Sequence, residues 1–203
     1  PAARTFPVHH HPTSSAPDPQ LRLETLLVRS GTGTDPATGA ITTPIHLSTA
    51  YGHPGLGEST GYDYTRTASP TRDVLQDALA RLEGGTAAFA LSSGMAALEL
   101  VTRTLAPHGS RIVALRDLYG GSFRFLEVLA EEGAADVDFV LGLEGLRGAL
   151  ADPADLVIIE TPTNPMMEEI AIPEAAELAH VAGARLVVDN TFYTPVVQRP
   201  LEL

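Results

Sequence analysis

From Thr86 to Asp189 the sequence presents short apolar runs separated by amphipathic segments. The runs are "TAAFAL" (86–91), "RIVAL" (111–115), "VDFVL" (137–141), "DLVIIE" (155–160) and "RLVVD" (185–189). They are largely continuous rather than alternating with polar residues. A strand with apolar side chains on both faces must be covered on both. The segments between them carry helical spacing, and Pro107, Gly109, Gly133 and Gly183 mark the stops. Strand and helix in regular alternation predict an α/β fold: a mostly parallel sheet with right-handed crossovers and helices on both faces. No internal repeat is visible beyond this alternation.

Upstream, "SPTRDVLQDALARLEGG" predicts a helix capped by Ser69, with Pro70 in its first turn and Gly84–Gly85 at its end. Leu21–Val28 fits a short amphipathic helix. Between these helices, residues 29–55 are rich in Gly, Thr and Pro, too long for a simple connection; such a loop is usually functional or packs on a partner. Residues 1–20 have no apolar period and read as a disordered arm. Its His9, His10 and His11 are read as solvated tail, and no metal site is predicted. The resulting division is 1–20 as arm, 21–68 as a segment meeting a neighbouring subunit, and 69–203 as an incomplete α/β domain.

Charge and composition narrow the function. A net charge of −12 over 203 residues repels nucleic acid and anionic membranes, so neither is a predicted partner. No apolar run reaches the length of a membrane span, and no secretory signal is read at the start. The chain has no cysteine, which excludes disulfides and thiolate metal sites and suits a cytoplasmic setting. All 13 basic residues are arginine. The chain therefore offers no lysine amine for a Schiff base.

In a parallel α/β sheet, ligands bind beyond the carboxyl ends of the strands. After Leu91, "SSGMAA" leads Ser92, Ser93 and Gly94 into a helix N-terminus, which is either a phosphate cradle or an ordinary cap. After Leu115, "RDLYGG" puts Tyr119 at the rim, to stack on a flat ring or to pack on the sheet edge. "ETPTNP" places Glu160, Thr163 and Asn164 in a tight turn. "DNTFYTP" sets Asp189 at the end of a buried strand, as a turn cap or as the partner of a protonated ring nitrogen. Together these groups match the phosphate, planar ring, phenolic oxygen and pyridinium nitrogen of pyridoxal phosphate.

The motifs "YDYTRTASPTR", "SSGMAA", "DLYGG", "ETPTNP" and "VDNTFYTPVVQRPLEL" resemble, in order, those of the Cys/Met-metabolism pyridoxal-phosphate enzymes. This group comprises the cystathionine γ-synthases, γ-lyases and β-lyases. The wording is nearest to bacterial cystathionine γ-synthase and O-acetylhomoserine thiol-lyase sequences. The resemblance runs from about Leu23 to Leu203 and implies the large domain of fold-type I, the aspartate-aminotransferase-like fold. It implies that Ser93, Gly94 and Met95 bind the cofactor phosphate. Tyr64 and Arg66 reach the phosphate of a neighbouring subunit, within a dimer of dimers. Tyr119 stacks on the ring and assists proton transfer, Asn164 faces the phenolic oxygen, Asp189 holds the pyridinium proton, and Thr191 supports that site.

One departure is Ser69, where the family usually has Asn. Another concerns the end of the chain. Family members continue past "RPLEL" into a Ser-Ala-Thr-Lys-type motif with the Schiff-base lysine, and into a C-terminal domain with an arginine for the substrate carboxylate. The resemblance thus implies a longer protein. Its reaction would be γ-replacement on an activated homoserine ester by cysteine or sulfide, with γ- or β-elimination as the near alternative. The alternative of another class is a non-catalytic binding or assembly protein lacking the lysine. A nucleotide-binding domain is disfavoured, because neither glycine fingerprint is present.

Overall fold

Apolar runs that cannot satisfy their own backbone must pair, and four of the five predicted runs do so. The computed structural model describes residues 21–33, 35 and 37–203; the predicted arm lies outside the described residues. Packing separates the chain at Ala90 into two compact units.

The first unit carries helix α1, Leu23–Arg29, and helix α2, Pro70–Glu83. Gly84 closes α2 in the left-handed region at φ 70°. Its N–H bonds to the Arg81 carbonyl, and that of Gly85 bonds to the Ala80 carbonyl at 2.8 Å. This pairing satisfies carbonyls that the last turn would otherwise leave open. Ser69 differs from expectation: its hydroxyl makes no cap bond, and its carbonyl accepts the Asp73 N–H at 3.0 Å. The side chain is buried, so it is spent on packing. Between the long loop and α2, Tyr62 donates to Asp73 at 3.0 Å, and its ring lies 5.5 Å from that of Tyr51 in the loop. Burial first, and then the Asp73 bond, push the Tyr62 phenol up to about 12.

Residues 86–91 do not form the predicted strand. The Ala90 N–H bonds instead to the Gln76 side chain at 3.0 Å, and Phe89 is 69% exposed. Apolar character alone does not make a strand; the backbone needs a neighbouring edge to bond to.

The second unit begins with helix α3, Gly94–Leu105, and continues through β1, Ser110–Leu115; α4, Gly120–Glu131; β2, Ala135–Val140; α5, Gly142–Ala149; β3, Leu156–Glu160; α6, Ile172–Val181; and β4, Arg185–Asp189. Helix α7, Thr194–Val197, and a 3-10 turn, Pro200–Glu202, follow. The strands are all parallel, in the order β2-β1-β3-β4. The crossover from β1 to β2 moves one way along the sheet; those from β2 to β3 and from β3 to β4 move the other way. Right-handed connections then put α4 on one face and α5 and α6 on the opposite face. The packing of α3 on α4 and of α5 on α6 agrees with that arrangement.

The central strands form the core. Ile112, Val113, Ala114, Leu156, Val157 and Ile159 are fully buried, and burying each of the larger aliphatic side chains contributes about 1.5–3 kcal/mol. At the amino end of the sheet one cation ties several elements together. The Arg111 guanidinium donates to Asp138 at 2.5 and 3.0 Å, and to the carbonyls of Ala149, Asp152 and Pro153 at 3.0 Å. The Arg111 N–H bonds to the Asp155 carboxylate at 2.8 Å. These bonds satisfy the α5 end and fix the turn into β3. Arg111→Ala is expected to destabilise the chain by about 2–3 kcal/mol in urea unfolding, and Arg111→Lys to recover only part of it, since an ammonium cannot span this fork of acceptors.

Candidate active site

The connections from β1 and β3 leave in opposite directions although the strands are neighbours. That divergence opens a crevice at their carboxyl ends, where open α/β sheets bind ligands. Three strand tips meet there. β1 runs through Arg116, Asp117 and Leu118 into Tyr119, which precedes the first turn of α4. β3 ends at Glu160 and β4 at Asp189, and these two residues are register partners. The Thr161 N–H bonds to the Asp189 carbonyl at 3.1 Å, carrying the ladder one step beyond the strands.

Asp189 accepts two bonds at the same oxygen, Oδ1. The Thr191 hydroxyl donates at 2.5 Å and the Thr191 N–H at 3.1 Å. The carboxylate is thus oriented by the turn that follows it, and both bonds fall on Oδ1 rather than Oδ2. Of the two readings of this acid, these bonds show the turn cap, and the cap orients the carboxylate.

The Tyr119 ring is half exposed and folds back over its own helix. A methyl group built on Gly121 would sit 2.5 Å from the ring Cε1 and 3.0 Å from the Met95 sulfur. Only a glycine allows this approach. Tyr119 and Gly121 of α4 therefore converge on Met95 in the first turn of α3. Ser93 caps α3 by accepting the Ala96 N–H at 3.1 Å. The N–H groups of Gly94 and Met95 precede the first intrahelical bond and stay available to an anion. A methyl group added at Gly94 would touch nothing within 4 Å, so the turn is open on that side.

Asn164 lies half-buried in the loop after β3. Two buried threonines pin that loop. Thr161 Oγ1 accepts the Ile170 N–H at 3.0 Å, and Thr163 Oγ1 accepts the Glu168 N–H at 3.1 Å. Tyr64 and Arg66 belong to the first unit and form a pair of their own, the guanidinium carbon 4.9 Å from the ring centre.

Glu160 is the residue whose importance sequence reading understated. It was legible only as one polar group in a turn. The residue is 4% exposed, and its Oε2 accepts the Tyr119 N–H at 2.5 Å, across the crevice. Burial raises its pKa, the Tyr119 bond acts against that, and the charge of Asp189 raises it further. Among the described residues, no arginine or histidine pairs with Glu160 or Asp189. An acid pair of this kind suits a cationic N–H donor, and an open helix N-terminus suits a phosphate. The donor set therefore fits pyridoxal phosphate. Among the described residues no group of three or more metal-binding side chains occurs, and no helix is long and apolar enough to cross a membrane.

The raised Glu160 pKa sets a pH dependence. A carboxyl that binds its proton more tightly when folded favours folding at low pH. That advantage fades as pH rises from 4.5 through the folded value. Glu160→Gln carries no such charge. Its stability relative to the parent chain is expected to climb across that window in urea unfolding at stepped pH; a flat difference would mean that Glu160 ionises freely.

Residues 24–203 match the sequence profile of the family described as Cys/Met metabolism PLP-dependent enzyme. A cystathionine gamma-synthase of Haemophilus influenzae is 44% identical over 187 residues, which make up 91% of this chain and 50% of that protein. A cystathionine beta-lyase of Lactococcus lactis is 38% identical over 183 residues, 89% of this chain and 48% of that protein. The crystal structure of cystathionine gamma synthase from Xanthomonas oryzae, in complex with aminoacrylate and cysteine, superposes with a TM-score of 0.86 at 41% identity. That match covers 90% of this chain and 48% of the other. The chain thus spans about half the length of these relatives. By this match over residues 24–203, the chain belongs to the Cys/Met metabolism PLP-dependent enzymes.

Proposed function

We propose that these residues form the cofactor-binding part of a transsulfuration enzyme that performs γ-replacement on an activated homoserine ester with cysteine or sulfide. The observation that carries this reading is the aimed carboxylate of Asp189 on the tip of β4, register partner of a buried Glu160. The 44% identity to a cystathionine gamma-synthase supports the synthase chemistry, and the relative that holds aminoacrylate and cysteine supports a thiol co-substrate. An elimination reaction on a sulfur amino acid is the second reading, supported by the 38% identity to a cystathionine beta-lyase.

In this proposal Ser93, Gly94 and Met95 bind the phosphate through the open first turn of α3. Arg66 and Tyr64 add to the same phosphate from a neighbouring subunit of a dimer of dimers, where a guanidinium fork suits phosphate oxygens. Asn164 orients the phenolic oxygen, and Asp189 keeps the proton on the ring nitrogen, with Thr191 fixing the carboxylate. When bound, pyridoxal phosphate supplies an electron sink for carbanions. Tyr119 stacks on the ring and assists proton transfer at the substrate, an acid–base role open to a positioned phenol. Residues 21–68 contribute the intersubunit contacts, 69–203 the cofactor domain, and the cytoplasm is the setting. No lysine occurs in the 203 residues, so a complete enzyme of this type takes its covalent anchor from elsewhere.

Asp189→Ala is expected to weaken pyridoxal phosphate binding about tenfold or more in equilibrium dialysis, because an ion pair with the ring nitrogen is lost. Arg66→Ala should weaken both binding and dimerisation; unchanged retention with an intact dimer would sink the cross-subunit role. In the complete enzyme, turnover of O-acetyl- or O-succinyl-homoserine with cysteine, against turnover of cystathionine alone, separates synthase from lyase.

A further inference from the structure

We propose that Glu160 is a positioning residue. From β3 it holds the Tyr119 backbone across the crevice, and thereby sets the ring over the place where the cofactor would lie. This rests on the pyridoxal-phosphate reading given above. Glu160 is only 4% exposed, and a buried carboxyl group is costly unless it makes strong bonds, so its place here calls for a task. The bond it makes is to the Tyr119 N–H, 41 residues away in sequence and on the other side of the switch between β1 and β3. Tyr119 makes no side-chain cap bond; α4 holds its carbonyl, which accepts the Phe123 N–H at 3.0 Å, and Glu160 holds its N–H. On its other side the ring lies against Gly121, where an added methyl group would meet the ring Cε1 at 2.5 Å and the Met95 sulfur at 3.0 Å. Glu160 thus fixes one end of Tyr119, and Gly121 admits the other. What matters in this arrangement is the accepting oxygen. A glutamine presents the same oxygen, whereas an alanine presents none.

The test uses the full chain and two readouts: exchange of the Tyr119 amide by NMR, and equilibrium dialysis with pyridoxal phosphate. In Glu160→Ala the Tyr119 amide is expected to exchange about tenfold faster, with the Val113 and Ala114 amides of β1 unchanged, and affinity to fall by about the same factor. Glu160→Gln should restore both. The inference is overturned if the Tyr119 amide is unaffected in Glu160→Ala, if it accelerates only together with Val113 and Ala114, or if Glu160→Gln behaves like Glu160→Ala. Gly121→Ala provides a route that leaves Glu160 intact and does not depend on the folding of a Glu160 variant. It should lower affinity while Tyr119 stays protected; unchanged affinity would break the link from ring to cofactor. If the parent chain binds no pyridoxal phosphate, the functional reading fails instead, and the exchange data still decide whether Glu160 holds Tyr119.

Discussion

The pairing of β1 with β3 is the constraint on which the second unit depends. Ile112, Val113 and Ala114 face Leu156, Val157 and Ile158 in parallel register, and all six are removed from water. Hydrophobic burial therefore holds together two strands whose continuations must diverge, one toward β2 and the other toward β4. The crevice at their carboxyl ends follows from that topology. The same pairing sets the distance over which Glu160 must reach to accept the Tyr119 N–H. A local feature of one loop is thus governed by the most deeply buried contact in the sheet.

The sheet is electrostatically polar from end to end. At its amino end Arg111 gathers Asp138, Asp155 and three carbonyls. At its carboxyl end Glu160 and Asp189 stand side by side without an arginine among the described residues. Two acids in register repel, and the burial of one makes the repulsion costlier. In the proposed function, a ligand with a cationic ring nitrogen would relieve this repulsion, and its phosphate would meet the open N–H groups at the start of α3. Pyridoxal phosphate carries both charges on one rigid frame, so it would suit the sheet tip and the helix start together. Thr191 adds direction by occupying one carboxylate oxygen and leaving the other.

Particular residues show how far the chain could be read without its fold. β1, β3 and β4, including the placement of Asp189 on a tip, were legible because continuous apolar runs bounded by turn residues have few other solutions. The end of α2 was legible because only glycine readily takes the left-handed turn found at Gly84. Residues 86–91 had the same apolar character but formed no strand, and the Ser69 hydroxyl found no cap bond. Both outcomes depend on a neighbour that local sequence does not specify.

The sequence by itself determined the alternation of strands and helices, the absence of a lysine amine, and the residue types offered at each strand end. These follow from side-chain volume, periodicity and chemistry, which are local properties. Tertiary structure alone decided the strand order, and with it the location of the crevice. It also decided that Glu160 would be buried beside Asp189 and bonded to Tyr119, and that Gly121 would admit the ring against Met95. Those relations join residues far apart in the chain, and they arise only once burial of the central strands has fixed which tips are neighbours.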